Sequence, residues 1–131
     1  MIKLLLKYSL LCAVLWTLII FILCSTPGHF IPTTNWLELL SFDKFVHASI
    51  FFVLTILWLV YFLSAIKLSP IISATVIFFC ISFGGLLEIM QSNVFSQRSG
   101  DWLDFIANSF GCLMGWLFFY KKKIRFAELS N

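Results

Sequence analysis

The chain has 131 residues, the length of one domain, yet apolar residues make up 61% of it and charged residues only 11%. A typical soluble domain carries about 25% charged residues, so this composition excludes an ordinary water-soluble fold and indicates an integral membrane protein. The net charge of +3 comes from scattered residues and is too small for a surface that neutralises a nucleic-acid backbone, so we expect no nucleic-acid partner.

Four apolar runs are long enough to cross a bilayer, because about 20 helical residues at about 1.5 Å each span a hydrocarbon core of about 30 Å. Leu23 stands where a signal cleavage site needs a small residue, so we interpret the first run as a retained span. Pro70 marks the start of the third run. The sequence therefore predicts a single all-α domain over residues 1–131, a bundle of four transmembrane helices at about 8–24, 45–66, 71–91 and 102–120.

The distribution of Lys and Arg between the loops predicts the orientation, because cytoplasmic loops carry an excess of these residues. With the N-terminus inside, only Lys44 and Arg98 lie outside. The seven cytoplasmic residues are then Lys3, Lys7, Lys67, Lys121, Lys122, Lys123 and Arg125. We therefore expect both termini to be cytoplasmic. In the long connection before the second span, an apolar patch around Trp36 is expected to lie along the membrane surface.

In this orientation, the polar residues of the last three spans gather at the outer side of the membrane. Spacings of three and four residues place each set on one helix face. We predict a polar site formed by Asp43, Lys44, His47, Glu88, Gln91, Arg98, Asp101, Asp104 and Asn108. Four glycines lie deeper in the membrane on the third and fourth spans and are expected to let neighbouring helices approach closely: Gly84, Gly85, Gly111 and Gly115.

Glu88 is the most informative of these residues, because it lies about one turn below the expected membrane surface. A charge at the bilayer centre costs on the order of 2.5 to 3.5 kcal/mol, and we therefore expect a partner for this carboxylate. The candidates are His47, Lys44 and Arg98.

Three interpretations of the polar site remain open. In the first, ion pairs and hydrogen bonds only fasten the helix ends, because polar groups at that depth must be satisfied within the bundle. In the second, the site binds a polar headgroup or an envelope-directed compound, with acids facing an amine and Arg98 or Lys44 facing a phosphate or carboxylate. In the third, His47 or Glu88 acts as a general base on a lipid-linked substrate, or the histidine and the acids hold a divalent metal.

No motif strengthens the third interpretation, since the chain has neither an HExxH-like sequence nor a nucleophile motif. Four cysteines lie in apolar runs without a CxxC pair and are expected to be packing residues: Cys12, Cys24, Cys80 and Cys112. We therefore favour binding over catalysis and expect no cofactor and no metal. A transport pore would need a homo-oligomer, because four spans enclose little room.

An Asp-Lys-x-x-His motif opens the second span, Glu-x-x-Gln closes the third, and an Arg, an Asp, an Asn and two glycines follow in order. The residues are Asp43, Lys44, His47, Glu88, Gln91, Arg98, Asp104, Asn108, Gly111 and Gly115. In type, order and spacing they resemble the VanZ-like family of membrane proteins over roughly residues 42–116. One departure is the stretch Phe95, Ser96 and Gln97, where family members often carry a proline before the arginine.

The named member of that family is associated with low-level resistance to teicoplanin, an acylated glycopeptide, without rewriting of the cell-wall precursor. The resemblance implies a multi-pass protein of the bacterial cytoplasmic membrane that alters how such glycopeptides, or envelope lipids, interact with the cell surface. Its partners would be membrane lipids and a glycopeptide antibiotic or lipid-linked cell-wall precursor. The alternatives are a small membrane-embedded enzyme acting on a lipid-linked envelope substrate, and a purely structural polar cluster.

Overall fold

The computed structural model of the chain describes residues 2–26, 42–66, 68–95 and 100–130. These residues contain helices and no strand: α1 (Ile2–Lys7), α2 (Ser9–Ser25), α3 (Phe42–Ala65), α4 (Pro70–Asn93) and α5 (Trp102–Ser130). A turn at Tyr8 is all that separates α1 from α2. The chain is thus an all-α bundle, and a helix is confirmed at each of the four predicted places. The predicted surface patch around Trp36 lies outside the described residues.

The start of α4 follows directly from its sequence. The Ser69 side chain accepts a hydrogen bond from the Ile72 backbone N–H at 3.2 Å, and this satisfies a donor that has no partner within the helix. Pro70 occupies the first turn, where its missing N–H is not needed. These two residues fix the helix start where the sequence predicted it.

Among the described residues, three helical segments are long and apolar enough to cross a membrane: α3, α4 and Trp102–Lys123 of α5. The fourth apolar helix, α2, has 17 residues and is about 26 Å long. Large apolar side chains on the bundle surface are extensively exposed, including Ile71 at 78% and Phe78 at 66%. A soluble protein rarely exposes such a surface, so these helices are those of a membrane protein.

α3 lies at the centre of the bundle and contacts α2, α4 and α5. Two indole N–H groups connect it to α2: Trp16 donates to the Ile50 carbonyl oxygen at 3.0 Å, and Trp58 donates to the Thr17 hydroxyl at 3.2 Å. Because hydrocarbon offers no hydrogen-bond partners, these polar groups must be satisfied between helices. The bonds therefore hold α2 in position against α3.

The most extensive contact in the bundle is between α3 and α5, and two glycines make it close. Gly111 packs directly on the Ala48 backbone, and a Cβ atom built at Gly115 would lie 2.6 Å from the Phe52 carbonyl oxygen. Only residues without a side chain allow this approach. As a result, the first turns of α3 and α5 lie side by side.

We predict that Gly111→Ala destabilises the protein by about 1–3 kcal/mol, because the new methyl group would overlap the Ala48 carbonyl group and push α5 away from α3. The matched control is Gly85→Ala, whose methyl group would meet only the edge of the Phe105 ring, at 3.1 Å. Both changes raise helix propensity equally, by about 1 kcal/mol. Thermal unfolding in detergent should therefore show a larger loss for Gly111→Ala, and equal losses would contradict the proposed backbone contact.

Candidate functional site

The start of α3, the end of α4 and the start of α5 meet at one end of the bundle. We call this region the polar end and define it by Asp43, Lys44, His47, Glu88, Gln91, Asp101, Asp104 and Asn108. The ninth residue of the predicted site, Arg98, lies outside the described residues. Five of the eight are buried although they are polar: His47, Glu88, Gln91, Asp104 and Asn108.

Lys44 connects the start of α3 to the start of α5. Its Nζ lies 2.7 Å from Asp101 Oδ2 and 2.5 Å from Asp104 Oδ1, and the Asp43 Oδ2 atom is 3.7 Å away. The contact with Asp101 is a hydrogen bond, and the contact with Asp104 is a short ion pair. The ammonium group of Lys44 therefore forms ionic contacts with three carboxylates.

The side chain of His47 is held in one orientation by Asn108. Nδ1 lies 3.0 Å from the Asn108 Oδ1 atom, and both residues are buried. Because an amide oxygen only accepts hydrogen bonds, Nδ1 is the donor, and Nε2 is the ring nitrogen that faces the aspartates. That atom lies 3.8 Å from both Asp43 Oδ1 and Asp104 Oδ2.

These three residues are the part of the polar end with the chemistry to hold a metal. Asp43, His47 and Asp104 each offer one ligand atom, and the three atoms lie within 4.8 Å of one another. We expected no metal from the sequence, because the residues match no ligand motif. Only the packing of α3 on α5 brings them together.

Glu88 is buried at the end of α4 and accepts a hydrogen bond from the Asp101 backbone N–H at 3.0 Å. We expected a cationic partner, yet among the described residues no Lys, Arg or His nitrogen forms an ion pair with this carboxylate. Lys44 and His47 face aspartates instead. The Glu88 partner in the structure is thus a backbone amide that sequence spacing does not reveal.

Gly100 holds the end of α4 against the residues that lead into α5. Its N–H donates to the Ser92 hydroxyl at 3.1 Å, and it packs so tightly on the Glu88 carbonyl group that no Cβ atom would fit. The glycine thereby places the next residue, Asp101, within reach of both Glu88 and Lys44.

Gln91 contacts a different part of the bundle. Its side-chain Nε2 donates to the Cys24 carbonyl oxygen at 3.2 Å, which ties the end of α4 to the end of α2. The sequence analysis grouped Gln91 with Glu88 because they are three residues apart. In the structure, Glu88 faces α5 and Gln91 faces α2.

A cavity of about 300 Å³ lies between the end of α4 and the start of α5. Two carboxylates, those of Glu88 and Asp101, border it. The other residues that line it include Gly85, Ser92, Trp102 and Phe105. The sequence analysis did not include the two aromatic residues, although their three-residue spacing directly after Asp101 places them on one face of α5. A cavity with carboxylates beside aromatic rings is suited to a group that is both cationic and partly apolar.

Neither a protein-family model, nor a curated protein, nor a solved structure matches this chain. The VanZ-like resemblance therefore stays a prediction based on the motif residues.

Asp101 is the one carboxylate of the polar end that lies outside a helix, directly before α5. The hydrogen bond from Lys44 lowers the pKa of Asp101 below its ordinary value, and the hydrogen bond from the Leu103 backbone N–H lowers this pKa further. Both donors favour the charged carboxylate. The second bond also satisfies a free N–H in the first turn of α5.

We predict that Asp101→Asn destabilises the protein at neutral pH by no more than about 1 kcal/mol, because the Asp101 side chain is 43% exposed and the ion pair is screened by water. A carboxyl group whose pKa is lower in the folded than in the unfolded chain stabilises the fold fully at pH values above its pKa in the unfolded chain, about 3.9. This stabilisation is lost as the pH falls through the pKa of the group in the folded chain. Unfolding midpoints of the two proteins in detergent should therefore converge as the pH is lowered below about 3.9. A difference that does not shrink as the solution is acidified from about pH 7 would contradict this role.

Proposed function

We propose that the polar end binds the amine-bearing headgroup of an envelope amphiphile, and that the cavity beside Glu88 and Asp101 receives the amine. One observation carries this proposal: the Glu88 carboxylate borders a cavity and is buried, and among the described residues it has no cationic partner. An ammonium group would form a charge-assisted hydrogen bond with it. The ligand would bring a positive charge to this carboxylate.

The charges of the polar end favour an amine over a phosphate as the bound group. Among the described residues the polar end has four carboxylates and one ammonium, and that ammonium is already in contact with three aspartates. Lys44 is therefore occupied and is poorly placed to receive an anionic headgroup. Trp102, 81% exposed at the start of α5, offers an aromatic surface of the kind found at membrane–water interfaces.

Three sources share this ligand chemistry: an aminolipid of the envelope, a lipid-linked cell-wall precursor, and a teicoplanin-type glycopeptide. The resemblance of residues 42–116 to VanZ-like proteins supports the glycopeptide. In each case the ligand has an apolar tail that stays in the bilayer while its polar group reaches the cavity. Binding would alter how the compound sits at the cell surface and would need no chemical step.

We further propose a multi-pass topology in the bacterial cytoplasmic membrane, with both termini in the cytoplasm and the polar end outside. The excess of Lys and Arg on the other side of the bundle supports this orientation. The proposal requires α2 to cross the membrane along with the three longer helices, so that the chain crosses four times.

We predict that green fluorescent protein fused to the C-terminus fluoresces, and that alkaline phosphatase fused there is inactive, because the former matures in the cytoplasm and the latter only outside it. As the matched control, alkaline phosphatase fused after Asn93, at the end of α4, should be active. The reverse pattern of activity would overturn the orientation and, with it, the outward-facing site.

We predict that the purified protein binds phosphatidylethanolamine more tightly than phosphatidylglycerol with the same acyl chains, and that Glu88→Gln weakens phosphatidylethanolamine binding by about 10- to 100-fold. The loss corresponds to one hydrogen bond to a charged group, about 1.5–3 kcal/mol. Titration in detergent with EDTA present measures both affinities. Asp43→Asn is the control, because Asp43 belongs to the polar end but is not among the residues that border the cavity. Equal losses in the two variants would contradict the assignment to the cavity.

An experiment in cells distinguishes a lipid ligand from a glycopeptide ligand, and both from a purely structural role of the polar end. Glu88→Gln, His47→Gln and Asp104→Asn are scored for membrane abundance and for teicoplanin sensitivity in the same cells. Increased sensitivity at normal abundance supports the glycopeptide as the ligand, whereas preference for phosphatidylethanolamine with unchanged sensitivity supports a lipid. If abundance falls in step with resistance in all three variants, the polar end is structural.

A further inference from the structure

We infer that Asp43, His47 and Asp104 form a binding site for a divalent transition-metal cation. The proposed site is separate from the cavity: its residues lie on α3 and α5, whereas the cavity lies between α4 and α5. It goes beyond the proposed amine binding and stands whether or not an amphiphile is bound.

The distances between the three ligand atoms suit a bound cation better than they suit direct bonds. His47 Nε2 is 3.8 Å from both Asp43 Oδ1 and Asp104 Oδ2, which is too long for hydrogen bonds. A first-row metal at about 2.0–2.2 Å from each ligand keeps neighbouring ligand atoms about 3–4 Å apart. The site needs to contract only slightly, and Asp43, whose side chain is 61% exposed, is free to rotate inward.

The environment of the histidine is an independent observation that points to a metal. The His47 side chain is nine-tenths buried, and within the described part of the chain its Nε2 atom has no hydrogen-bond partner. Its other nitrogen donates to the Asn108 Oδ1 atom at 3.0 Å. Metal-binding histidines are held in the same way, because a hydrogen bond at one nitrogen fixes the tautomer and aims the lone pair of the other. A cation between Nε2 and the two carboxylates would be a common partner for all three ligand atoms.

The carboxylates are divided between Lys44 and the proposed cation. Lys44 contacts Asp104 through Oδ1 and lies nearest Asp43 at Oδ2, whereas Asp104 Oδ2 and Asp43 Oδ1 face the histidine. Each aspartate therefore contacts the lysine through one carboxylate oxygen and keeps its other oxygen available for the cation. With four carboxylates at the polar end, a divalent cation would reduce the local negative charge rather than reverse it.

The three ligand atoms restrict which cation the site would bind. One imidazole nitrogen and two carboxylate oxygens suit Mn²⁺ or Zn²⁺, since Ca²⁺ and Mg²⁺ prefer oxygen ligands alone. Three protein ligands leave coordination positions for water, and the exposure of Asp43 gives a cation access to them from outside the bundle.

The test uses the full-length protein in detergent, stripped with EDTA and titrated with Mn²⁺ in the absence of lipid. We expect one Mn²⁺ per chain, with nitrogen modulation from a coordinated imidazole in the electron spin echo of the bound ion. His47→Gln should abolish the nitrogen modulation, and Asp43→Asn should weaken Mn²⁺ binding at least tenfold. Because Asp43 is exposed, this second variant is expected to fold even if changes at buried residues do not.

Asp101→Asn is the matched control, since it removes a carboxylate that also pairs with Lys44 but does not belong to the three ligands. It should leave the Mn²⁺ affinity within about twofold of the parent. Absence of nitrogen modulation in the parent protein, or equal loss of affinity in Asp43→Asn and Asp101→Asn, would overturn the metal site. The amine proposal would be unaffected by that result, because its binding is measured with EDTA present.

Discussion

The arrangement of the polar end depends on a contact between backbones. α5 approaches α3 so closely at Gly111 that the Ala48 carbonyl group occupies the space a side chain would need. This contact lies next to Asn108 on α5 and His47 on α3, so it sets the distance at which their side chains meet. A wider spacing of the helices would leave the buried imidazole and amide without partners in hydrocarbon, which cannot supply any. Close packing in the apolar part of the bundle thus determines the chemistry at its end.

Lys44 is the second constraint, because it supplies the positive charge that lets the start of α3 lie beside Asp101, which precedes α5, and Asp104, in its first turn. Its contacts with Asp101 and Asp104 are short, and both carboxylates keep one oxygen for other partners. Asp101 uses its second oxygen for the Leu103 N–H, whereas that of Asp104 faces the histidine. A single cation therefore joins two helix ends without neutralising the polar end.

Much of the fold could be predicted from the sequence, because a membrane imposes its length and polarity on every span. Apolar runs, Pro70 and the glycine spacing in α5 were enough to locate the helices. The side-chain contacts were harder to predict from the sequence. Glu88 and Gln91 are three residues apart and so differ by about 60° around the helix axis, which is enough for one to face α5 and the other α2. Their spacing alone does not give the rotation of α4.

The structural and ligand-binding interpretations of the polar end apply in part to different atoms of the same cluster. Lys44, Gln91 and Asn108 make interhelical contacts in the structure and account for how the helix ends are fastened. The Glu88 carboxylate does both: it accepts the hydrogen bond of the Asp101 backbone N–H, which joins α4 to the start of α5, and it borders the cavity. The Nε2 atom of His47 makes no hydrogen bond within the described residues and lies 3.8 Å from two aspartates. Their presence beside a cavity and between two aspartates is what a site for cationic ligands requires.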